Sequence, residues 1–210
     1  MINNYFKDPI SIDGGASKKK IYRFKKNKIN FIILDFSKEI VEFHNHLNIY
    51  NILKNIDVSI PKIFEVDFKN NIIITEDFGN QRFDKILNKH DLNTLLKCAV
   101  ESLIKINNIS INKISNNILP TYNYEIFKTE IAEFIEFFIP FKKIDKSLNA
   151  VFFEIWKENY NNLNFVFNSF VHKDYELSNL IYLPSKSNHL KCGIIDFQSA
   201  FRGFKGWDLF

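Results

Sequence analysis

The segment FVHKDYELSNLIYL, residues 170–183, carries the strongest structural and functional signal in this chain. It sets His172, Asp174 and Asn179 in the pattern H-x-D-x-x-x-x-N, between two apolar runs that predict short strands joined by a loop. Phosphoryl transfer needs a carboxylate that accepts or orients the proton of an attacking hydroxyl, and a nearby amide oxygen can hold a metal ion without adding charge. Asp174 and Asn179 suit these roles, and His172 is a catalytic candidate that is expected to buttress the loop.

A second carboxylate follows at short range. The sequence GIIDFQ, residues 193–198, is an apolar strand that ends in Asp196. Hard oxygen ligands of this kind hold magnesium, although an Asp at the end of a strand also often caps a turn. Together with Asn179, Asp196 is therefore the candidate metal ligand.

Composition restricts the class of protein. The 210 residues are enough for one domain or for two small lobes around a cleft, and 46% hydrophobic content with 25% charged residues excludes a disordered chain. The formal net charge is only +4, which gives no reason to expect a nucleic-acid partner. A basic stretch at residues 18–26 is compatible with a solvated hairpin or with phosphate binding.

The remaining composition signals concern location and thiol chemistry. No segment reaches the ~18 consecutive apolar residues that a membrane helix requires, and the first ten residues do not look like a secretory signal, so we expect a cytoplasmic protein without a membrane partner. Cys98 and Cys192 have no metal-ligand spacing and are expected to be free thiols. His44 and His46 are two residues apart on a predicted helix, which disfavours a shared metal.

Hydrophobic periodicity predicts an α+β protein. Short runs rich in β-branched and aromatic residues predict strands at residues 19–25, 30–35, 63–67 and 72–76. Ser37 is expected to cap one helix between the second and third strands, and Asp91 to cap the first of three helices in the second half. The pattern predicts a small antiparallel sheet as the amino-terminal lobe, residues 1–79, and a helical lobe, residues 80–210, with a ligand cleft between them.

These motifs resemble a known group. The segments at residues 170–183 and 193–209 are similar to the aminoglycoside phosphotransferase and choline kinase superfamily, and the EDFG and DFQ sequences most resemble its bacterial cell-wall-recycling branch, the anomeric kinases of N-acetylmuramate and N-acetylglucosamine. The resemblance runs from about Asp13 to Asp208. It implies a protein-kinase-like two-lobe fold, ATP and Mg²⁺ as cofactors, and a small-molecule acceptor such as an amino sugar.

The resemblance also implies roles for individual residues. Asp174 would be the catalytic base, Asn179 and Asp196 the magnesium ligands, and Asp208 the acid that braces the catalytic loop. The implied nucleotide-binding residues are the phosphate-covering Gly14, Gly15 and Ser17, and the adenine-binding hinge Glu76, Asp77 and Phe78.

One expected feature is missing. Protein kinases hold the nucleotide phosphates with a lysine on the third strand, but residues 30–35 contain no lysine. Lys20 or Arg23 on the preceding strand could supply the positive charge. Glu39 and Glu42, on the early helix, are expected to be solvent-facing structural residues.

The sequence leaves several functions open. Besides an amino-sugar kinase, it is compatible with a kinase for an aminoglycoside, choline or another alcohol. Members of the superfamily usually continue through further helices after the position of Asp208, so the helical lobe is expected to be incomplete. A non-catalytic nucleotide-binding module is therefore the alternative of a different class, and nothing in the sequence fixes the oligomeric state.

Overall fold

The amino-terminal half is built on one antiparallel sheet. We describe residues 9–12, 18–138, 141 and 148–209 of the computed structural model. The strand order in the sheet is β1-β2-β3-β5-β4, and every neighbouring pair is antiparallel. The strands are β1 (Ile10–Ile12), β2 (Lys20–Lys26), β3 (Ile29–Asp35), β4 (Ile63–Asp67) and β5 (Ile72–Glu76).

A tight turn fixes the register of the central hairpin. Asn27 and Lys28 both have positive φ, 51° and 68°, as two-residue hairpin turns require when their twist matches that of the strands. The turn sets Lys26 opposite Ile29 and Ile21 opposite Leu34. Because side chains alternate along a strand, this register decides which side chains face the rest of the molecule.

Helix α1 (Ile40–Leu53) packs against one face of the sheet. Its buried Phe43 lies with Phe36, Leu34 and Ile73 in one apolar cluster. The predicted Ser37 cap is wrong, because the helix begins after Glu39 and no side chain caps it. Instead, the Ser37 N–H donates to Asp35 Oδ1 at 2.9 Å, so this segment is a turn.

The carboxy-terminal half is mainly helical. Asp91 caps helix α3 as predicted, since its carboxylate accepts hydrogen bonds from the backbone N–H groups of Asn93 and Thr94. Helix α4 passes into a π-helical turn at Phe134–Phe138. The helices are α2 (Phe83–Ile86), α3 (Leu92–Asn107), α4 (Tyr124–Glu133) and α5 (Asn149–Asn162).

Two small antiparallel pairs of strands stand at the centre of this half. Strand β6 (Ser169–Val171) pairs with β9 (Phe201–Gly203), and β7 (Leu180–Tyr182) pairs with β8 (Cys192–Ile194). The loop that carries the H-x-D-x-x-x-x-N pattern joins β6 to β7, and Asp196 follows β8. The fold therefore brings both motifs to the same place.

The main core lies beneath these pairs and joins them to α1, α2 and α3. Fully buried Leu53, Phe83, Leu95 and Phe170 belong to it. Cys98 and Cys192 are buried free thiols, as predicted. Within the described ranges no helix is long and apolar enough to cross a membrane. The predicted α+β architecture, with a sheet followed by a helical half, is confirmed.

Candidate active site

A cleft of about 780 Å³ lies between the sheet and the β7–β8 hairpin. Ile21, Ile32 and Leu34 face it from the sheet, and Ile181 and Ile195 face it from the hairpin. Polar side chains line the cleft as well, and they include Lys19, Glu42, Asp174, Glu176, Ser178, Asn179, Asp196 and Gln198. The volume lies within the usual range for small-molecule sites.

The catalytic loop presents Asp174 to this cleft. Lys173, which precedes it, has φ +80°, and the Asn179 amide Nδ2 donates to the Asp174 carbonyl at 2.9 Å. The five-residue spacing therefore closes the loop on itself. Burial raises the pKa of the Asp174 carboxyl, and the nearby charge of Asp196 acts in the same direction. A carboxylate with a raised pKa is a better proton acceptor than an ordinary surface Asp.

His172 lies behind the loop and does not line the cleft. The ring is fully buried, and its Nε2 lies 3.2 Å from the Ile195 carbonyl oxygen, which only an N–H donor can satisfy. Burial lowers the pKa of His172 to about 4, so the ring is neutral near pH 7. The geometry gives His172 the predicted buttressing position, but not contact with a substrate.

Asp208 makes two hydrogen bonds with the backbone of the catalytic loop. Its Oδ2 accepts from the His172 N–H and its Oδ1 from the Lys173 N–H, both at 2.8 Å. The carboxylate thus holds the loop from a position 36 residues further along the chain. Burial raises the pKa of Asp208, although the two N–H donors act in the opposite direction.

Asp196 lies directly beside Asn179. The Ile195 N–H donates to the Asn179 carbonyl at 3.1 Å, and Leu180 pairs with Ile194 across the β7–β8 hairpin. Asp196 Oδ1 accepts hydrogen bonds from the Lys19 ammonium and, at 2.9 Å, from Gln198 Nε2. Burial by itself raises the pKa of Asp196, but the charge and hydrogen bond of Lys19 and the hydrogen bond of Gln198 outweigh it and hold this pKa below its usual range.

This donor set fits Mg²⁺. Within the described ranges no group of three or more His, Cys, Asp and Glu residues could hold a metal by itself. Magnesium, however, usually takes only one or two protein carboxylates and completes its shell with water and substrate phosphates. The Asp196 carboxylate and the Asn179 amide, whose nitrogen is occupied and whose oxygen is therefore the available donor atom, meet that requirement.

The predicted hinge forms part of the cleft wall. Glu76, Asp77 and Phe78 all line it. Arg23 faces the cleft too, but its guanidinium donates to Asp77 Oδ1 at 2.8 Å and to Asn80 Oδ1 at 2.6 Å. The structure therefore uses Arg23 to tie β2 to the hinge.

Of the other nucleotide-binding candidates, the structure describes Lys20, which is exposed and does not line the cleft. Gly14, Gly15 and Ser17 lie outside the described residues. Glu39 and Glu42 were predicted to face solvent, but both are partly buried and line the cleft, Glu42 from α1 and Glu39 from the residue before it.

Sequence reasoning also missed Lys19. Its neighbour Lys20 and the more distant Arg23 are three residues apart, so on a strand they cannot face the same side. The alternation that places Ile21 and Arg23 toward the cleft also places Lys19 there, and this signal was available in the sequence.

The hinge depends on a glycine in β8. A Cβ atom at Gly193 would lie 2.6 Å from Phe78 Cδ2 and 3.1 Å from Leu183 Cδ1. We expect Gly193→Ala to lower the free energy of unfolding by about 1–3 kcal/mol, because the methyl group displaces the packed Phe78 ring. Urea denaturation would measure this. In the double variant Gly193→Ala/Phe78→Leu the smaller side chain should recover part of the loss, whereas purely additive effects would contradict the steric explanation.

Two buried histidines make the fold sensitive to acid. Burial lowers the pKa of both His46 and His172 to about 4, whereas histidine in an unfolded chain titrates near 6.5. Below about pH 6.5 the unfolded chain therefore binds more protons, and stability falls as the pH decreases toward 4. As the pH falls from 6.5 to 5, each histidine is expected to lower the free energy of unfolding by about 2 kcal/mol.

Variants of the two helix histidines test this. His46→Gln should reduce the loss of unfolding free energy between pH 6.5 and 5, measured by urea denaturation at each pH. His44→Gln on the same helix is the control, because His44 is exposed. Equal pH dependence in the His46→Gln variant and in the unmodified protein would refute the assignment.

A curated kinase and several solved structures are similar to this chain. No protein-family model matches the chain. The N-acetylmuramate/N-acetylglucosamine kinase of Caulobacter vibrioides is 28% identical over 160 residues. That match covers 72% of this chain but 44% of the relative, so the chain spans less than half of the length of that curated kinase.

Solved structures decide the fold. The streptomycin–ATP ternary complex of APH(2'')-IIa superposes with a TM-score of 0.69 at 14% identity, over 99% of this chain and 71% of that one. This chain has the aminoglycoside phosphotransferase fold. The GDP complex of aminoglycoside 2'-phosphotransferase-IIIa gives a TM-score of 0.68 at 15% identity, over 99% and 74% of the two chains. The resemblance that the motifs indicated, and with it the protein-kinase-like fold, is confirmed.

Proposed function

We propose that this chain provides the nucleotide cleft and the reacting groups of a phosphotransferase that moves the γ-phosphoryl group of ATP to a small-molecule hydroxyl. The supporting observation is that Asp174, Asn179 and Asp196 line one cleft, where hydrogen bonds join Asn179 to Asp174 and to Ile195, the neighbour of Asp196. The apolar side chains of the cleft suit a purine ring, and these three polar groups suit phosphates and a metal. Absence of one of these three groups would have favoured a non-catalytic module.

The chain's own residues suffice for the acid–base part of the reaction. The acceptor hydroxyl donates its proton to the Asp174 carboxylate, the hydroxyl oxygen forms a bond to the γ-phosphorus, and the bond from that phosphorus to the β–γ bridging oxygen breaks with release of ADP. The raised pKa of Asp174 suits it to hold this proton. Asn179 and Asp196 would hold Mg²⁺, which when bound neutralises charge on the phosphates.

The proposed acceptor is an amino sugar. We favour the anomeric hydroxyl of an N-acetylated amino sugar, because the curated relative with sequence similarity is an N-acetylmuramate/N-acetylglucosamine kinase. An aminoglycoside is the second candidate, since solved structures with this fold include complexes with streptomycin and gentamicin. The sequence identity to this kinase is 28%, whereas the identity to the streptomycin complex is 14%. This difference favours the sugar as acceptor.

We further propose that the lobes divide near Gly79. The last strand of the sheet ends at Glu76, and the first helix of the second half begins at Phe83. Gly79 has φ +86°, a conformation that favours glycine, so the chain can change direction there at little cost.

The decisive test is ATP turnover. Purified protein would be incubated with ATP and Mg²⁺ and with N-acetylmuramate, N-acetylglucosamine, kanamycin or choline in turn, and ADP release and phosphorylated product would be measured. We expect amino-sugar-dependent ADP release. Product formed only with kanamycin would select the second candidate. Failure to bind Mg²⁺–ATP in a separate calorimetric titration would refute the proposed function itself.

A further inference from the structure

Lys19 is a buried cation that lines the cleft. Its side chain is only 3% exposed, and its ammonium contacts Asp196 Oδ1. The same ammonium lies 5.5 Å from the centre of the Phe36 ring. A lysine loses much of its hydration when it is buried this deeply, so the buried ammonium needs a compensating negative charge.

The pleat of the sheet explains why Lys19, and not Lys20, enters the cleft. Ile21 and Arg23 face the cleft, and Lys19 continues that alternating row just before β2 begins. On β3 the cleft-facing positions are Ile32 and Leu34, which lie opposite Arg23 and Ile21. The third strand therefore presents apolar side chains where a cation would otherwise contact phosphate.

The other cleft-lining cations have different partners. Among the described residues, the lysines and arginines that line the cleft are Lys19, Arg23 and Arg82. Arg23 binds the hinge residues Asp77 and Asn80, and Arg82 makes two hydrogen bonds with Asp84. Lys19 contacts a candidate metal ligand, Asp196.

We propose that Lys19 is the phosphate-binding cation of the nucleotide site, supplied from the residue before β2 in place of a third-strand lysine. This assignment rests on the proposed function. An ammonium has three donors, so Lys19 can contact a phosphate oxygen while it keeps a hydrogen bond with Asp196. Without nucleotide, Asp196 supplies the negative charge that stabilises the buried ammonium.

Helix α1 contributes a second acidic group to the same environment. Glu42 is half-buried, lines the cleft and interacts electrostatically with Lys19 and Asp196. Burial raises the pKa of Glu42, with Lys19 acting in the opposite direction. Lys19 therefore contacts the Asp196 carboxylate after β8 and feels the charge of the Glu42 carboxylate from α1.

The test compares two ligands that differ only in their phosphates. Calorimetry would measure the affinity of the Lys19→Met variant for Mg²⁺–ATP and for adenosine. We expect Mg²⁺–ATP to bind about 10–100-fold more weakly, as expected for the loss of one charge-assisted hydrogen bond, and adenosine to bind as in the unmodified protein. Lys19→Arg should retain most of the affinity for Mg²⁺–ATP, because it keeps the charge.

Variants of two neighbouring lysines complete the series. Lys26→Met is the matched control, since Lys26 is an exposed lysine at the far end of β2, and the affinity of this variant for Mg²⁺–ATP should not change. Lys20→Met tests the alternative. If Lys20→Met weakens Mg²⁺–ATP binding and Lys19→Met does not, the assignment is overturned.

A measurement on the unmodified protein avoids any effect of substitution on folding. An acyl-phosphate derivative of ATP transfers its acyl group to an amine within reach of the phosphates and releases ATP. Mass spectrometry of the labelled protein should find the acyl group on Lys19. Labelling of Lys18 or Lys20 without Lys19 would refute the proposal, while binding of Mg²⁺–ATP in the same sample would leave the proposed function intact. Absence of nucleotide binding would refute both.

Discussion

Asp174→Asn is expected to reduce the rate of phosphoryl transfer by about 10²–10⁴-fold, the usual contribution of a positioned general base. Asn keeps the shape of the side chain but cannot take a proton from the acceptor hydroxyl. Nucleotide affinity should change little, because the loop is held by Asn179, which donates to the Asp174 backbone carbonyl and not to its side chain. Turnover with saturating acceptor and calorimetric titration with Mg²⁺–ATP measure the two quantities.

The matched control for this substitution is Glu158→Gln. Glu158 is an exposed acid on α5, so the same chemical change there should alter neither quantity. An Asp174→Asn variant that loses affinity for nucleotide and turnover to the same extent would contradict the assigned role, since the effect would then concern binding or folding.

Asp208→Ala is expected to have the second largest effect. The substitution removes the acceptor of two backbone N–H groups, those of His172 and Lys173. The His172 N–H is partly buried, so leaving it without an acceptor should lower the free energy of unfolding by about 1–3 kcal/mol. Water can replace the acceptor at the exposed Lys173 N–H. We expect a decrease of about 2–3 kcal/mol in the free energy of unfolding, measured by urea denaturation.

The same substitution should reduce kcat. The His172–Lys173 backbone leads directly into Asp174, and a displacement of about 1 Å at a catalytic group can cost about 10²-fold in rate. Asp208→Asn retains one acceptor oxygen and should therefore lie between the unmodified protein and Asp208→Ala in both measurements. Turnover must be measured below the unfolding transition of each variant. A destabilised Asp208→Ala protein with normal kcat would show that Asp208 does not position the loop.

Local sequence determined most of the scaffold. The strands predicted at residues 63–67 and 72–76 have the observed bounds, because β-branched runs bordered by turn residues favour extended backbone. Asp91 caps α3, as its spacing to Thr94 indicates. By contrast, Ser37 does not cap α1, because its turn is held by Asp35 and by a hydrogen bond from the Glu39 N–H to Phe36.

The candidate site was only partly predictable. The H-x-D-x-x-x-x-N pattern identified Asp174 and Asn179 because five residues are enough for the loop to close on itself. The position of Glu42 at the cleft depends on how α1 packs against the segment after β8, where the His46 ring stacks on Phe197. A sequence pattern contains no information about such packing when the partners are more than a hundred residues apart.

The sequence by itself determined the α+β class, the resemblance to the phosphotransferases and the residues of the catalytic loop, since each depends on short-range periodicity or on closely spaced polar groups. Only the tertiary structure decided which cation contacts Asp196. The contact between Lys19 and Asp196 joins residues 177 positions apart, and it forms because the sheet and the β7–β8 hairpin enclose one cleft. The physical reason is that a buried charge is stable only where folding brings an opposite charge to it.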